Sequence, residues 1–142
     1  MACGNGRCNR AVVTAYNNTE QAFVAAGTQI QILGNVATGI GSAVSAQNGG
    51  FRVNTGNTFR FSYDVVFAPS AAGVAQVQLY KDGTALPCAF VQETVAEGST
   101  YTLHAESVLN VGTCCNSHPI ISAQISGVAG TISHVNASAI DV

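Results

Sequence analysis

The chain has 142 residues and a formal net charge of −2, with 47% hydrophobic but only 8% charged residues. Ordinary soluble proteins contain about a quarter charged residues, and here Asn, Gln, Ser and Thr take their place. Five basic residues spread along the chain argue against nucleic acid, which requires clustered Lys and Arg. No apolar run approaches the roughly 20 residues that span a bilayer. We therefore expect neither nucleic acid nor membrane as a partner.

The length and low charge also bear on assembly. A chain of this size fits one domain and buries roughly two-thirds of its unfolded surface. A sparsely charged surface repels its own copies weakly, which favours self-association. The alternative is a monomeric domain with few charges.

Residues 1–10 (MACGNGRCNR) differ from the rest of the chain. They are rich in Gly and Asn, carry Cys3 and Cys8, and show no periodicity, which predicts a flexible arm before a folded domain at residues 11–142. They also lack the apolar segment of a secretory signal. We expect cytoplasmic synthesis without a signal peptide, followed by display outside the cell or on a spore or virion surface.

Short strands are predicted from residue 11 onward. Residues 11–16, 21–26 and 28–33 read as strands, and Ile30 and Ile32 share a face. Residues 34–50 are rich in Gly, Asn and Ser, with weak strand character only near 43–46. A loop-dominated crossing is expected there.

Residues 57–67 (NTFRFSYDVVF) form the longest strictly alternating run. Such alternation is typical of a half-buried antiparallel strand, because successive side chains point to opposite faces. We expect a central core strand with one apolar face, made of Phe59, Phe61, Tyr63, Val65 and Phe67.

The second half of the chain continues the pattern. Asp82-Gly83 predicts a type I′ hairpin turn between strands at 74–80 and 84–95, since both central positions need positive φ. Pro87 suggests an edge position or a bulge early in the returning strand. Further strands are predicted at 99–111, 120–126 and 132–141. Eight to ten short strands without helical periodicity predict an all-β sandwich or barrel.

The strand order and the segments TFRFSYDVVF, LYKDG, GSTYTLHAESVL and HVNASAIDV resemble the bacterial branch of the tumour-necrosis-factor-like (TNF-like) jelly rolls. This branch includes the C-terminal domains of BclA-type spore-surface glycoproteins and is similar to the globular heads of complement-type proteins. The resemblance covers residues 11–142. It implies a two-sheet jelly roll of about ten strands, a tight homotrimer, and a role in structure or recognition.

One departure from BclA-type proteins concerns the N-terminus. They carry a collagen-like stalk before the head, whereas this chain has only the ten-residue arm. The arrangement is similar to spore appendage pilins, in which an N-terminal connector joins successive jelly-roll subunits. The analogy is one of fold and favours a domain that is itself the building block.

The chain has five cysteines, Cys3, Cys8, Cys88, Cys114 and Cys115, and an odd number leaves at least one thiol free or bonded to another chain. Our hypothesis is that Cys3 and Cys8 of one subunit bond Cys114 or Cys115 of a neighbour. Ten extended residues reach at most about 33 Å, so the span is feasible. The alternative is reduced thiols, with Cys88 buried on the face of Leu86 and Phe90.

Metal and catalytic sites are the weaker interpretations. Cys114, Cys115 and His118 offer zinc ligands, but adjacent cysteines chelate one tetrahedral ion poorly. His104 and Glu106 share a strand face, as do His134 and Asn136, and such pairs in a sheet usually face solvent or an interface. No catalytic motif is found in the sequence. We expect a non-enzyme without catalytic residues, metal or cofactor.

The functional expectation is a structural, self-assembling subunit of an extracellular fibre or surface layer, such as a spore appendage or exosporium. Its main partner would be other copies of the same chain, in a homotrimer and in a fibre. An anchoring protein or a tip protein would be an additional partner. One alternative is a phage virion trimer that decorates a head or forms a fibre tip. The other is a head domain that binds a receptor or glycan.

Overall fold

The computed structural model describes residues 11–32, 35–113 and 117–142. All regular structure in these ranges is β-strand, and two antiparallel sheets form a jelly-roll sandwich. The strands are β1 Val12–Asn17, β2 Gln21–Phe23, β3 Thr28–Gln29, β4 Asn35–Ile40, β5 Val44–Gln47, β6 Gly50–Val53, β7 Asn57–Pro69, β8 Gly73–Lys81, β9 Thr84–Val95, β10 Tyr101–Val111, β11 Ile120–Ser126 and β12 Gly130–Asp141. The predicted all-β fold is confirmed, with twelve strands instead of about ten. The described part of the chain holds no helix long and apolar enough to cross a membrane.

Each sheet has six strands. Sheet A has the order β10-β7-β12-β1-β4, and β2 also pairs with β12. Sheet B has the order β5-β6-β11-β8-β9, and β3 also pairs with β11. Neighbouring strands are mostly distant in sequence, so long-range pairing defines the fold. This order places β7 and β12 in the interior of sheet A and leaves β9 at an edge of sheet B.

The aromatic strand β7 lies between β10 and β12. Its alternating residues Phe59, Phe61, Tyr63, Val65 and Phe67 are fully buried against sheet B. Phe51 of β6 contacts two of them, with ring centroids 6.0 Å from Phe61 and 6.1 Å from Tyr63. Phe23 packs edge-on against Phe67 at 5.8 Å. Since aromatic pairs at such separations add to area burial, this face is the main contact between the sheets.

Small residues surround Tyr63 within its own sheet. Its neighbours across the strands are Ala105 on β10 and Ala137 on β12, and Ala15 lies opposite Ala137 on β1. All three alanines are buried. The phenolic hydroxyl is buried too and has no hydrogen-bond partner among the described residues. Burial raises the pKa of Tyr63 far above its ordinary value, because an ionised phenolate cannot be solvated there.

The loop-dominated crossing expected over residues 34–50 is wrong, although the weak strand character near 43–46 corresponds to β5 Val44–Gln47. Strand β4 pairs with β1, and β5 pairs with β6, a strand that the sequence pattern did not predict. These strands are short, four to six residues each, so their own residues carry little periodic signal. Backbone pairing with neighbouring strands and burial of Phe51 and Val53 stabilise them instead.

The predicted hairpin between β8 and β9 is confirmed. Asp82 has φ of 50° and Gly83 has φ of 81°, as a type I′ turn requires. Asp82 also accepts a hydrogen bond from the backbone N–H of Ile120 through Oδ1, at 2.9 Å. The turn is therefore attached to the start of β11.

Pro87 lies in the edge strand β9, beside a bulge, as predicted. The register between β8 and β9 shifts between Gln78 and Tyr80. Between the pairs Tyr80–Ala85 and Gln78–Phe90, β9 has three residues more than β8. This odd number reverses the alternation, so Ala89 takes the buried position and Cys88 is exposed. The expectation that Cys88 is a buried small hydrophobe is wrong for this reason, and Phe90 is also 49% exposed.

The side chain of Gln78 fills the bulge. Its Nε2 lies 2.6 Å from the carbonyl oxygen of Leu86, 3.0 Å from that of Leu79 and 3.3 Å from that of Ala89. Gln78 is only 8% exposed. The side-chain amide of Gln78 therefore donates to backbone carbonyl groups around the bulge.

Replacing Tyr63 with Phe should stabilise the protein. The change removes a buried hydroxyl that lacks a partner, and such a group costs about 1–3 kcal/mol, so we expect the free energy of unfolding at neutral pH to rise by about 1 kcal/mol. Urea denaturation measures it. Tyr101→Phe is the control with the opposite sign, because the Tyr101 hydroxyl accepts the N–H of Ala96 at 2.9 Å. A loss of stability in Tyr63→Phe would show that the hydroxyl has a partner.

The difference in stability between the wild type and Tyr63→Phe should grow in alkaline solution. The unfolded phenol ionises near pH 10 while the folded phenol stays neutral, so this group contributes stability below pH 10 and loses it as pH rises. The wild type should lose up to about 1.4 kcal/mol per pH unit relative to Tyr63→Phe above that point. Urea denaturation of both proteins measures this. A difference in their free energies of unfolding that stays constant between pH 9 and about pH 11.5 would contradict the prediction.

Replacing Gln78 with Leu should destabilise the protein by about 1–3 kcal/mol, because buried carbonyl groups lose their donor. Gln76→Leu is the matched control on the same strand. Gln76 is half-buried and makes one exposed side-chain contact, accepting from Gln92 Nε2 at 2.8 Å, so its replacement should change stability by about 0.5 kcal/mol or less. Equal effects in thermal or urea unfolding would refute the special role of Gln78.

Candidate assembly face

The predicted disulfide residues Cys3, Cys8, Cys114 and Cys115 lie outside the described residues, and their pairing stays a prediction. Cys88 is a free, exposed thiol on β9. The zinc alternative rested on Cys114 and Cys115 and is likewise untested. Within residues 11–32, 35–113 and 117–142, no three His, Cys, Asp or Glu side chains are placed to hold a metal ion.

The outer side of sheet A presents a broad surface that we call the sheet A face. Its side chains alternate with the buried ones on each strand, so the core packing of β7 determines which residues point outward. The face consists of Thr102, His104, Glu106 and Val108 on β10; Arg60, Ser62, Asp64 and Val66 on β7; His134, Asn136, Ser138 and Ile140 on β12; Val12, Thr14 and Tyr16 on β1; and Ile40 on β4.

An apolar row crosses the sheet A face from edge to edge. In register, Val108 lies opposite Arg60, Arg60 opposite Ile140, Ile140 opposite Val12, and Val12 opposite Ile40. Val108 is 57% exposed and Ile40 61% exposed. Four aliphatic side chains in one row, interrupted by a single Arg, form the kind of surface that another protein surface covers.

A hydroxyl row lies beside the apolar row. Ser62 and Ser138 are opposite each other, with their Oγ atoms 2.6 Å apart. Thr14 lies opposite Ser138 on the other side. The Ser62 and Ser138 hydroxyls are hydrogen-bonded to each other, which lowers the free-energy cost of removing them from water.

A charged cluster, which we call the His104 cluster, lies beside these hydroxyls. It consists of His104 and Asp64 in the next row and of Glu106, which lies opposite Ser62. His104 Nδ1 is 2.6 Å from Asp64 Oδ1, and His104 Nε2 is 3.7 Å from Glu106 Oε2. All three side chains are about half exposed. Asp64 faces His104 in register and faces Asn136 on its other side. The imidazole therefore lies between two carboxylates.

The His104 cluster has a carboxylate beside each ring nitrogen of the histidine. An Asp–His pair acts as a general base only when a nucleophile lies within hydrogen-bond reach of the free ring nitrogen. Here the group beside Nε2 is a second carboxylate, Glu106. The sequence placed His104 and Glu106 on one face but missed Asp64, because the register between β7 and β10 carries no local signal.

The outer side of sheet B differs in character. It presents amides, hydroxyls and two aromatic rings, namely Val74, Gln76, Gln78 and Tyr80 on β8; Phe90, Gln92 and Thr94 on β9; and Ser122, Gln124 and Ser126 on β11. Its exposed apolar residues Val74 and Phe90 lie on different strands and are not aligned in one row. The apolar row thus distinguishes the sheet A face.

The size of the sheet A face suits a protein interface. Three long strands of about eleven residues and two short ones of about six, at about 3.4 Å per residue and 4.8 Å between strands, cover on the order of 700 Å². A standard interface buries about 800 Å² per partner. The face is therefore large enough for a specific association.

Comparisons with known proteins identify the fold. No family model and no curated protein sequence matches the chain. Among solved structures, PRD1 vertex protein P5 aligns with a TM-score of 0.71 at 10% identity, over 93% of this chain and 73% of that one. Murine APRIL at pH 5.0 aligns with a TM-score of 0.65 at 13% identity, over 91% and 98% of the two chains.

The globular domain of zebrafish complement 1qA protein is also similar, with a TM-score of 0.62 at 6% identity over 93% of this chain and 97% of that one. Identities this low show the fold alone. The resemblance to complement-type heads that the strand pattern indicated is confirmed at that level, whereas a link to BclA or to spore appendages is not shown. The chain has the two-sheet jelly-roll fold of TNF-like proteins.

Proposed function

We propose that this chain is a non-enzymatic structural subunit that assembles through the sheet A face into a homotrimer. The observation that carries the proposal is the apolar row on that face, where Val108 and Ile40 are more than half exposed in the isolated chain. Burying apolar surface stabilises an assembly by roughly 25 cal/mol per Å². The low charge of the chain adds little repulsion between copies.

A closed ring fits this surface better than a single contact. Association costs an estimated 4–15 kcal/mol in lost translational and rotational freedom for each joining event. Three subunits in a ring form three contacts in two joining events, so the third contact has no such cost. A contact that is too small to hold a stable dimer can therefore still hold a closed trimer.

The finer proposal is that trimers stack into an extracellular fibre or surface layer. Residues 1–10 would serve as a connector to the next trimer, with Cys3 and Cys8 bonding Cys114 or Cys115 there. The support is the sequence: two cysteines precede the domain and two lie between late strands. A spore appendage or exosporium is the setting that the pilin-like organisation favours, and the subunit would act outside the cell after cytoplasmic synthesis.

A second candidate is a virion component. The specific observation is the structural likeness to the PRD1 vertex protein P5, over 93% of this chain. A trimer that decorates a capsid or forms a fibre tip would use the same sheet A face for assembly. It would differ in needing a separate partner on which to dock, and it would not extend into fibres alone.

Placing a positive charge in the apolar row should weaken the trimer. Val108→Lys puts an ammonium opposite Arg60 and would require its burial in the interface, so we expect the trimer dissociation constants to rise about tenfold or more. Size-exclusion chromatography with light scattering over a dilution series measures this, and the wild type should give three times the monomer mass. Val74→Lys, on sheet B and similarly exposed, is the matched control.

Two results would contradict the trimer proposal. One is a wild type that stays monomeric at every concentration. The other is a trimer that Val74→Lys disrupts while Val108→Lys does not, since this would place the interface on sheet B.

Fibre formation should depend on the arm cysteines. Under oxidising conditions the wild type should form fibres visible by negative-stain electron microscopy, and non-reducing peptide mapping should find Cys3 or Cys8 linked to Cys114 or Cys115 of another chain. Cys3→Ser with Cys8→Ser should leave discrete trimers, and Cys88→Ser should leave the fibres intact. Discrete wild-type trimers with only intrachain bonds would favour the virion candidate instead.

A further inference from the structure

We infer that the His104 cluster makes self-association depend on pH, with tighter assembly in mildly acidic solution. The inference rests on the proposed trimer and adds a regulatory property to the same face. It starts from geometry: one imidazole lies between the carboxylates of Asp64 and Glu106, at 2.6 and 3.7 Å, on the β10 and β7 side of the sheet A face. These are the two ion-pair contacts of His104 within the described ranges.

The other histidine of the sheet A face, His134, has no ion pair with a carboxylate among the described residues. On β7, Arg60 lies opposite Val108, and its charge is constant between pH 5 and 8. Glu93 and Cys88 belong to β9, and Lys81 and Tyr80 to β8, both in sheet B, so they do not point out of the sheet A face. On β12, the residue opposite Asp64 is the uncharged Asn136, and His134 contacts the side chain of Asn18.

The charge balance sets the direction of the effect. Histidine is the side chain that ordinarily changes charge between pH 5 and 8. With a neutral imidazole the cluster carries two negative charges, and with an imidazolium it carries one. In the separated subunit, half-exposed groups are screened by water and the difference matters little.

Covering the face with a second copy changes this balance. Water is excluded, the effective dielectric constant falls, and two unbalanced carboxylates cost more free energy to bury than a cluster with one net charge. Each association step therefore takes up protons on His104, drawn from solution. By linkage, assembly strengthens as the pH falls through the range in which histidine titrates.

The experiment is sedimentation velocity of the full chain over a dilution series, at several pH values between about 5.5 and 8 and at constant ionic strength. We expect the wild-type dissociation constants to fall roughly tenfold from pH 8 to pH 5.5. His104→Gln keeps a donor toward Asp64 but cannot ionise, so it should remove most of this dependence. His134→Gln is the control, since that histidine lies on the same face without a carboxylate partner, and it should behave as the wild type.

A second variant keeps the test decisive if His104→Gln folds poorly. Glu106→Gln removes one carboxylate, so it should tighten assembly at pH 8 and flatten the pH dependence. If wild-type trimers are too tight to dissociate by dilution, the Val108→Lys background brings dissociation into range.

The outcomes separate this inference from the trimer proposal. A wild-type trimer whose dissociation constants do not change with pH, or a dependence that survives in both His104→Gln and Glu106→Gln, overturns the pH inference alone. A wild type that is monomeric at every pH and concentration overturns both.

Discussion

The packing of the β7 aromatic face against sheet B is the contact on which the rest of the molecule depends. Five alternating side chains of β7 are fully buried, and Phe51 bridges to two of them from the other sheet. Because strand side chains alternate, burying this set forces Arg60, Ser62, Asp64 and Val66 outward. The core therefore determines the composition of the candidate assembly face, and a slip of one residue would exchange the two sets.

Polar groups mark the places where this packing conflicts with regular strand geometry. The bulge beside Pro87 interrupts the ladder, and Gln78 supplies the missing donors from its side chain. Tyr63 is the contrasting case, since its ring fills the space beside Ala105 and Ala137 but its hydroxyl finds no partner among the described residues. The surroundings of Tyr63 arise from strands that are far apart in sequence, whereas Gln78 acts within the single hairpin of β8 and β9.

The sheet A face unites the functional proposals. Its apolar row offers the surface that assembly would bury, its hydroxyl row provides short polar side chains beside that surface, and the His104 cluster adds the group that responds to pH. A second copy of the chain that covers this face would bury the apolar row without any other partner. The same face serves a fibre subunit and a virion trimer equally well.

The sequence by itself determined the all-β class, the core strand at residues 57–67, the Asp82-Gly83 turn and the edge position of the strand with Pro87, because each follows from local alternation or turn chemistry. It did not predict β4 or β6, which are too short to show a clear alternation and which pair with neighbouring strands. It also placed Cys88 inside, since a bulge reverses alternation without a sequence signal other than Pro87. The apolar row and the contact of His104 with Asp64 were decided by tertiary structure alone, because they depend on the register between strands that are far apart in the chain.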